Sequence, residues 1–301
     1  MPTIWRFTDG KPGHERQTAG FVKAFCSLLP CEVFEIAVKR SSAVRALFGR
    51  GIPNAPSGKP DLLLGAGNAC QVPLLSAHKA YGGSSIYFMR PSLPLSWFDL
   101  CVIPKHDSPP LRDNILLSEG VLNDFDAPTT KQPDTGLILL GGPSKHHAWD
   151  NAHVMGQVEE ILAAGQSRSP RLSFRISASR RTPAETRVAL EKFRHAGYQP
   201  LEEQDGNWLR TNLASAAEVW VSADSVSMMY EALSSGARLG IVDVPVRRTD
   251  RITNIAPDLV TRDFATGFKR WQQTHELGAS PTLREAERIA ALVASRLNIE
   301  A

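Results

Sequence analysis

Short apolar runs alternate along the first half of the chain with longer stretches whose apolar positions recur every three or four residues. The runs predict strands at 3–8, 32–38, 61–64, 85–89, 100–103 and 114–117, and the longer stretches predict helices at 17–29, 41–48 and 71–81. Strands that alternate with helices form parallel sheets with right-handed crossovers. The first half is therefore predicted to be one doubly wound α/β domain.

The segment 124–134, DFDAPTTKQPD, has no periodicity and is typical of an interdomain linker. After it the alternation restarts, with predicted strands at 136–140, 172–177, 199–202, 218–221 and 238–242 and helices at 151–164, 184–196 and 226–235. We therefore predict an α/β protein of two Rossmann-like doubly wound domains, 1–128 and 134–301, that face a cleft. The last amphipathic helix, 283–297, either covers the second sheet or returns to the first domain.

The composition is that of an ordinary globular protein. Of the 301 residues, 42% are hydrophobic and 22% are charged. No apolar run approaches the roughly 18 residues that span a bilayer, and the N-terminus resembles no secretory signal. The four cysteines have no CxxC spacing, which favours buried thiols over a disulfide framework or zinc. These features predict a cytoplasmic protein.

The net charge of +3 is too small to indicate nucleic-acid binding, which needs a concentrated basic stripe. Local clusters are more informative, because each flanks a predicted strand and suits a small anion: Lys11, His14 and Arg16; Arg175, Arg180 and Arg181; and Arg247, Arg248 and Arg251. Another cluster, Arg40, Arg45 and Arg50, is a candidate for peripheral contact with an anionic inner-membrane surface.

The loop DGKPGHERQ at 9–17 places glycines, a lysine and an imidazole between the first strand and its helix. At a helix N-terminus His14 suits a neutral general base, with Lys11 and Gly13 available to an anion. A surface or capping role for His14 is the alternative. The later loop GAGNACQ at 65–71 lacks the third glycine of a dinucleotide fingerprint, which argues against a dehydrogenase.

The loop GGPSKHH opens the second domain in the place where DGKPGHE opens the first. Gly141 and Gly142 allow a backbone to approach a phosphate, while Ser144 and Lys145 can bind its oxygens. The loop lacks the spacing of a Walker motif, and the neighbouring histidines His146 and His147 lack a third metal ligand, so we predict no metal. In ASRRTP, Arg180 precedes a helix and suits a diphosphate.

The stretch VSADSVSMMYEALSSG, beginning at Val221, predicts a strand, a polar turn and a helix that ends at Gly236. Ser222, Asp224 and Ser225 are candidate N-cap residues, and an N-terminus at a strand end attracts anions. Glu231 can then accept hydrogen bonds from a sugar hydroxyl. The alternative is an ordinary capped helix with a solvated glutamate.

Taken together, TDGKPGHERQTAG, GGPSKHHAWD, SASRRTP and VSADSVSMMYEALSSG resemble a family of bacterial proteins related to the plant mitochondrial-fission factor. Members of this family are often described as predicted nucleoside-diphosphate-sugar epimerases, and the family is similar to GT-B glycosyltransferases. The resemblance implies an N-terminal domain for the acceptor and catalysis and a C-terminal domain for a nucleotide-sugar donor. It also implies activity without a bound metal or other cofactor.

By that resemblance Glu231 contacts the donor ribose, Ser225 lies near the diphosphate, and Gly141, Gly142 and Ser144 form the phosphate loop. His14 takes the place of the base of inverting relatives. The leading hypothesis is a metal-independent glycosyltransferase whose acceptor is a saccharide or a lipid-linked precursor. A nucleotide-sugar 2-epimerase that uses acidic groups such as Asp9 and Glu15 is the alternative enzyme. A non-catalytic recruitment protein, favoured by exposed apolar surface on the last helix, is the third hypothesis.

Overall fold

The computed structural model of this chain describes residues 1–38, 52, 55–125 and 130–299. It divides into two compact units, Met1–Asp124 with Arg284–Ala301, and Phe125–Leu283. The division falls inside the segment predicted as a linker, and the C-terminal segment joins the first unit rather than the second. The predicted helix 41–48 and the cluster Arg40, Arg45 and Arg50 lie outside the described residues.

Within its described residues the first unit holds a six-stranded parallel sheet in the order β2-β1-β3-β4-β5-β6. The strands are β1 (Thr3–Thr8), β2 (Glu32–Ala37), β3 (Leu62–Ala66), β4 (Ser84–Phe88), β5 (Leu100–Pro104) and β6 (Ile115–Ser118). Helix α1 (Pro12–Leu28) follows β1, and α2 (Asn68–Tyr81) follows β3. These elements match the predicted alternation of strands and helices.

Helix α1 begins five residues earlier than the sequence predicted, at Pro12 instead of Gln17. Proline is well suited to the first position of a helix because its missing N–H would have no intrahelical acceptor there. Gly13 and the charged residues that follow obscured this start in the apolar pattern. As a result His14 lies in the first helical turn and not in a loop.

The first sheet is buried on both faces, as the continuous apolar runs of its strands require. Ile4 and Leu64 point to one face, where they pack with Phe21 of α1. Trp5 points to the opposite face and packs with Leu74 of α2. This arrangement of helices on both faces is the doubly wound architecture that the sequence predicted.

The second unit holds, over the residues described there, a five-stranded parallel sheet in the order β11-β10-β9-β7-β8. Its strands are β7 (Gln132–Leu140), β8 (Ser173–Ala178), β9 (Ala216–Ser222), β10 (Arg238–Val242) and β11 (Thr266–Gly267). Its helices are α3 (Asn151–Ser167), α4 (Ala184–Leu190), α5 (Trp208–Ser215), α6 (Val226–Ser235), α7 (Ile255–Thr261) and α8 (Phe268–Thr274).

The strand predicted at 199–202 is wrong, because Leu201–Glu203 is a 3-10 turn. Only a single bridge, between Tyr198 and Ile176, joins this segment to the edge strand β8. The predicted helix 184–196 likewise ends as α4 at Leu190 and continues as a 3-10 segment. In both places tertiary packing, which local sequence does not reveal, decides the backbone of a short segment.

The last helix, α9 (Glu285–Arg296), belongs to the first unit, where it packs against α1. Its apolar residues Ile289, Ala290 and Val293 are fully buried in the same cluster as Phe21 and Phe25 of α1. The helix therefore returns to the N-terminal sheet, one of the two placements that its periodicity left open.

Each sheet has one place where the direction of strand addition reverses. In the first sheet β1 and β3 are neighbours while β2 lies on the outer side of β1, and in the second β7 and β9 are neighbours while β8 lies outside β7. Loops at the carboxyl ends of such strand pairs diverge and leave a crevice, the usual ligand site of open α/β sheets. The loops that follow β1, β3, β7 and β9 are therefore the candidate positions of a ligand site.

Candidate functional site

The reversal point of the first sheet brings Asp9 and His14 together. Nδ1 of His14 lies 2.8 Å from Oδ2 of Asp9, whose side chain is only 2% exposed. In the neutral imidazole a carboxylate beside Nδ1 stabilises the tautomer that carries a proton there, so Nε2 is the nitrogen able to accept one. The His14 side chain retains 21% of its exposure, which leaves the imidazole accessible to a reactant.

Gly67, in the loop after β3, makes room for this pair. A Cβ at Gly67 would lie 2.1 Å from Nδ1 of His14 and 2.7 Å from Oδ2 of Asp9, and the residue has a φ of +82°. Both the space and the backbone conformation therefore require glycine. From the sequence, GAGNACQ was interpreted only as an incomplete dinucleotide motif. That its last glycine, Gly67, leaves space for Asp9 and His14 was not predicted, because these residues lie far away in the chain.

The first turn of α1 is fixed from several sides. The Gly10 N–H donates to Oε1 of Glu15 at 2.9 Å. Arg6, which is 8% exposed in β1, donates to the Glu15 carbonyl at 2.8 Å and to Thr18 Oγ1 at 2.9 Å, and it pairs with the Glu35 carboxylate. These bonds set the position of the helix start and hence of His14.

Two other predicted residues of this loop lie at its surface. The Lys11 ammonium group is 4.0 Å from Oδ2 of Asp9, and its side chain is 69% exposed. Around Gly13, a Cβ would meet no atom within 4 Å. Lys11 is thus free to reorient toward an anion, whereas the site does not demand glycine at position 13.

Asp224, which follows β9, joins the loops at the reversal point of the second sheet. Its fully buried carboxylate accepts hydrogen bonds from Gly142 N at 2.9 Å, Ser222 Oγ at 2.7 Å and Arg181 Nη2 at 2.8 Å. Gly141 N donates to Ser222 Oγ at 2.7 Å, and a Cβ at Gly141 would lie 2.1 Å from Asp224. One carboxylate therefore fastens the loops after β7, β8 and β9 to one another.

The predicted phosphate loop is closed in this structure. The N–H groups of Gly141 and Gly142 donate to protein acceptors, as described above. The hydroxyl of Ser144 accepts from the N–H groups of His146 and His147, each at 3.1 Å. The N–H groups of Gly141 and Gly142 become available to a phosphate only after they leave these partners, whereas the Ser144 hydroxyl accepts in both of its bonds and keeps its own proton to donate.

Lys145 and Arg180 are exposed at this edge of the sheet, and neither forms an ion pair within the described part of the chain. Arg181 is partly exposed and also donates to the Gly142 carbonyl at 2.8 Å. The long cationic side chains therefore lie around the closed loop and supply positive charge without any rearrangement of the backbone.

Ser225 is the N-cap residue of α6, whereas the carboxylate of Asp224 is engaged with the neighbouring loops. The Ser225 N–H donates to the Ser222 carbonyl at 3.0 Å, and the residue is 8% exposed. Glu231, further along α6, is 3% exposed, so the interpretation of a solvated glutamate is wrong. Its contact with a ribose stays a prediction.

Two features of the described residues bear on other classes of function. Among them no group of three His, Cys, Asp or Glu side chains is placed to hold a metal ion. No helix in the same residues has the length and apolar character needed to cross a membrane.

A cavity of about 1020 Å³ lined by Gln132, Ser173 and Arg175 lies at the amino ends of β7 and β8, away from Asp224.

Comparison with known families identifies one that spans nearly the whole chain. The sequence model of the family described as Mitochondrial fission ELM1 matches residues 12–297. The uncharacterized protein RP120 of Rickettsia prowazekii (strain Madrid E) is 24% identical over an alignment of 291 residues that covers 80% of this chain and 80% of the relative.

Comparison with solved structures finds similar two-domain α/β proteins. A candidate UDP-N-acetylglucosamine 2-epimerase from Listeria monocytogenes matches with a TM-score of 0.59 and 12% identity over 99% of this chain and 97% of that one. The MnaA–UDP complex of S. aureus matches with a TM-score of 0.51 and 14% identity over 99% of this chain and 98% of that one. Phytolacca americana UGT2 with UDP-2-fluoro-glucose and pterostilbene matches with a TM-score of 0.50 and 9% identity over 99% of this chain and 90% of that one. At these identities the likeness concerns the fold, which is of the GT-B class.

Proposed function

The chain belongs to the Mitochondrial fission ELM1 family, and from its GT-B fold and its Asp9–His14 pair we propose that it is a metal-independent glycosyltransferase with a nucleotide-diphosphate sugar as donor. The observation that carries the proposal is the buried carboxylate 2.8 Å from Nδ1 of His14. It prepares Nε2 to accept a proton, which is what deprotonation of an acceptor hydroxyl requires.

In the proposed reaction the acceptor O–H proton passes to Nε2 of His14 while the acceptor oxygen bonds to the anomeric carbon of the sugar. The bond from that carbon to the diphosphate breaks, and its electron pair stays on the phosphate oxygen. Asp9 stabilises the imidazolium that forms. Lys145 and Arg180 are the exposed cations of the second unit proposed to stabilise the departing diphosphate.

The donor is proposed to bind the second unit at the reversal point between β7 and β9. Ser225 and the start of α6 lie there, and Gly141, Gly142 and Ser144 adjoin it. The structures with UDP or a UDP-sugar, named above for the S. aureus and Phytolacca proteins, support a nucleotide-sugar ligand for this fold. The proposed acceptor is the hydroxyl group of a saccharide or a lipid-linked precursor, reached at the cytoplasmic side of the inner membrane.

The epimerase alternative is less well supported by the geometry of its candidate acids. Asp9 is 2% exposed and engaged with His14, and Oε1 of Glu15 accepts the Gly10 N–H. Carboxyl groups that position other residues are poorly placed to exchange protons with a sugar carbon. The pair therefore favours a base assisted by an aspartate over two acid–base carboxyls.

The recruitment alternative depended on exposed apolar surface along the last helix. In α9 the apolar residues Ile289, Ala290 and Val293 are buried against the N-terminal sheet, and Leu292 at 41% exposure is the large apolar side chain that the helix leaves accessible. A docking surface for a partner is therefore not favoured on this helix.

A substitution that removes Nε2 but keeps the bond to Asp9 tests the proposal. His14→Asn places an amide N–H near the position of Nδ1, so the loop should hold its structure. We expect the release of nucleoside diphosphate from UDP-glucose, UDP-N-acetylglucosamine or ADP-glucose to fall by about 10² or more, because general-base catalysis is lost. The affinity for the nucleoside diphosphate and the Tm should stay those of the unmodified protein.

The matched control is His195→Asn, which changes an exposed histidine of the 3-10 segment after α4. It should leave turnover unchanged. Equal turnover in His14→Asn and the unmodified protein would remove His14 as the base. If the unmodified protein binds none of these nucleotides in calorimetry, the glycosyltransferase proposal itself is wrong.

A further inference from the structure

A second aspartate–histidine pair lies in the second unit. Nδ1 of His146, in the loop after β7, is 2.6 Å from Oδ2 of Asp250, in the loop after β10. The His146 side chain is 15% exposed and that of Asp250 is 20% exposed. Local sequence patterns indicate only that His146 is a poor metal ligand, because its partner Asp250 is distant in the chain.

The two loops that carry this pair are joined through their backbones. His147 and Val246 form an antiparallel bridge. The Ala148 N–H donates to the Pro245 carbonyl at 2.8 Å, and the Arg247 N–H donates to the His146 carbonyl at 2.9 Å. His146 therefore lies on a short ladder between two loops at the carboxyl edge of the sheet, in the same loop as Gly141 and Gly142.

Asp250 is itself firmly held. Its Oδ1 accepts from the N–H groups of Ile252 at 2.9 Å and Thr253 at 3.3 Å, and its Oδ2 accepts from Arg248 Nε at 3.0 Å. Desolvation opposes ionisation, but the hydrogen bonds from His146, the backbone and Arg248 prevail and keep the pKa of Asp250 below its usual range. Asp250 is consequently a carboxylate at neutral pH and holds a proton on Nδ1 of His146.

The adjacent histidine has a different character. His147 is 1% exposed, and burial lowers the pKa of its imidazole, although the charge of Asp224 acts in the opposite direction. His147 is thus a buried neutral group, while Nε2 of His146 has no hydrogen-bond partner among the described residues. Nε2 of His146 is therefore open to an external ligand, whereas the imidazole of His147 is buried.

The surroundings of His146 carry more positive than negative charge. The exposed or partly exposed cations of this edge are Lys145, Arg180, Arg181, Arg247 and Arg248, and the carboxylates that pair with them are Asp224 and Asp250. The excess of positive charge suits a ligand with two or more negative charges. The backbone donors expected to bind such a ligand, at Gly141 and Gly142, are already bonded within the protein.

We propose that His146 binds the diphosphate of the nucleotide sugar, donating from Nε2 to a phosphate oxygen, and that Asp250 is the residue that positions its imidazole. This inference rests on the proposed function, since it names a further binding residue of the same donor site. In the proposed complex Asp250 accepts a hydrogen bond from Nδ1 and the phosphate accepts one from Nε2. Both ring nitrogens then carry a proton, so His146 binds the phosphate as an imidazolium. Such charge-assisted hydrogen bonds are stronger than neutral ones.

Two substitutions at His146 separate ligand binding from loop support. His146→Asn keeps a donor near Nδ1 for Asp250 but has no atom at Nε2. His146→Gln places a donor near Nε2 but gives up the bond to Asp250. Calorimetric titration with UDP, ADP and uridine, together with the Tm, is measured for both variants and for the control His195→Asn.

We expect His146→Asn to lose about tenfold or more in affinity for UDP or ADP, with little change for uridine and an unchanged Tm, because a hydrogen bond to a charged group is lost. His146→Gln should retain more of the diphosphate affinity and have a lower Tm. Asp250→Asn should weaken UDP binding less than His146→Asn does, because an amide oxygen still orients the imidazole.

If His146→Asn binds UDP as the unmodified protein does while His146→Gln lowers the Tm, His146 only ties the two loops together and the inference is overturned. That outcome leaves the proposed function intact, since the unmodified protein still binds the nucleotide. Absence of UDP and ADP binding in the unmodified protein would instead overturn both the inference and the proposed function.

Discussion

Asp9 and His14 form a hydrogen-bonded pair in which one carboxylate oxygen lies 2.8 Å from Nδ1 of the imidazole. The aspartate is the first residue after β1, and the histidine belongs to the first turn of α1. Because the carboxylate holds the proton on Nδ1, Nε2 is the nitrogen left to accept another. The end of β1 and the first turn of α1 therefore supply the proposed base and the carboxylate that orients it.

Asp9→Asn should reduce turnover while the protein continues to bind its donor. The amide no longer stabilises the imidazolium that forms when His14 accepts a proton, and it does not select one tautomer. We expect kcat to fall by about 10² and the KM for the nucleotide sugar to change little, because Asp9 does not contact the donor in the proposed reaction. Steady-state release of nucleoside diphosphate provides the measurement.

Asp113→Asn is a suitable control for that variant, since Asp113 is an exposed residue of the same unit. It should leave kcat unchanged. If the Tm of Asp9→Asn falls so far that loss of folded protein accounts for the lower kcat, Asp9 acts on stability alone. A full kcat in Asp9→Asn would show that the Asp9–His14 pair has no part in catalysis.

Gly67→Ala tests whether the space at Gly67 is needed for the pair. Its Cβ would lie 2.1 Å from Nδ1 of His14, so the imidazole must move and turnover should fall at least tenfold. Gly82→Ala is the matched control, because Gly82 has a similar φ of +77° with no atom within 4 Å of a Cβ. Both variants should lose about 1–3 kcal/mol from backbone strain, because positive φ with ψ near ±150° is a conformation that essentially only glycine adopts.

Turnover should therefore be reduced in the alanine variant at Gly67 and retained in the variant at Gly82, once each is measured well below its own Tm. If both variants keep full turnover, the contact between Gly67 and His14 has no part in the reaction. Equal losses in both would trace the effect to backbone strain.

The architecture could be predicted from the sequence because strands that are buried on both faces produce continuous apolar runs, and capped amphipathic helices separate them. The return of α9 to the first unit could not be predicted, since Ile289 and Val293 indicate a buried face without naming what covers it. The strand predicted at 199–202 failed because the chain turns away from the sheet there, after the bridge that the preceding residue Tyr198 makes with Ile176 of β8.

The candidate sites divide in the same way. The loop from Asp9 to His14 was recognisable because its chemistry lies within one short segment. Gly67, Asp224 and Asp250 were not recognisable, because each acts on a residue of another loop and only the strand order brings those loops together. Asp224 was even assigned a different task, since an aspartate before a helix ordinarily suggests an N-cap.

Asp224→Ala should destabilise the second unit strongly. Three donors, Gly142 N, Ser222 Oγ and Arg181 Nη2, would lose their acceptor, and two of them are buried. We expect the free energy of unfolding to fall by about 3 kcal/mol, because unsatisfied buried polar groups are costly. Denaturant titration measures it.

Asp134→Ala, at an exposed aspartate of the same unit, should change the free energy of unfolding by less than about 0.5 kcal/mol. Adding Arg181→Met to Asp224→Ala should cost little more, since both substitutions break the same ion pair. Additive losses would mean that Asp224 and Arg181 stabilise the loops independently.

Ile289→Ala and Leu292→Ala compare two apolar residues of α9. Ile289 is fully buried against α1 and the first sheet, whereas Leu292 is 41% exposed. The first substitution should lower the free energy of unfolding by about 2–5 kcal/mol through the cavity it leaves, and the second should lower it by less than about 1 kcal/mol. Hydrogen exchange locates the effect, because amides of α1 should lose protection in Ile289→Ala while amides of α6 keep theirs. If protection falls in α6 and not in α1, the last helix stabilises the second unit instead of the first.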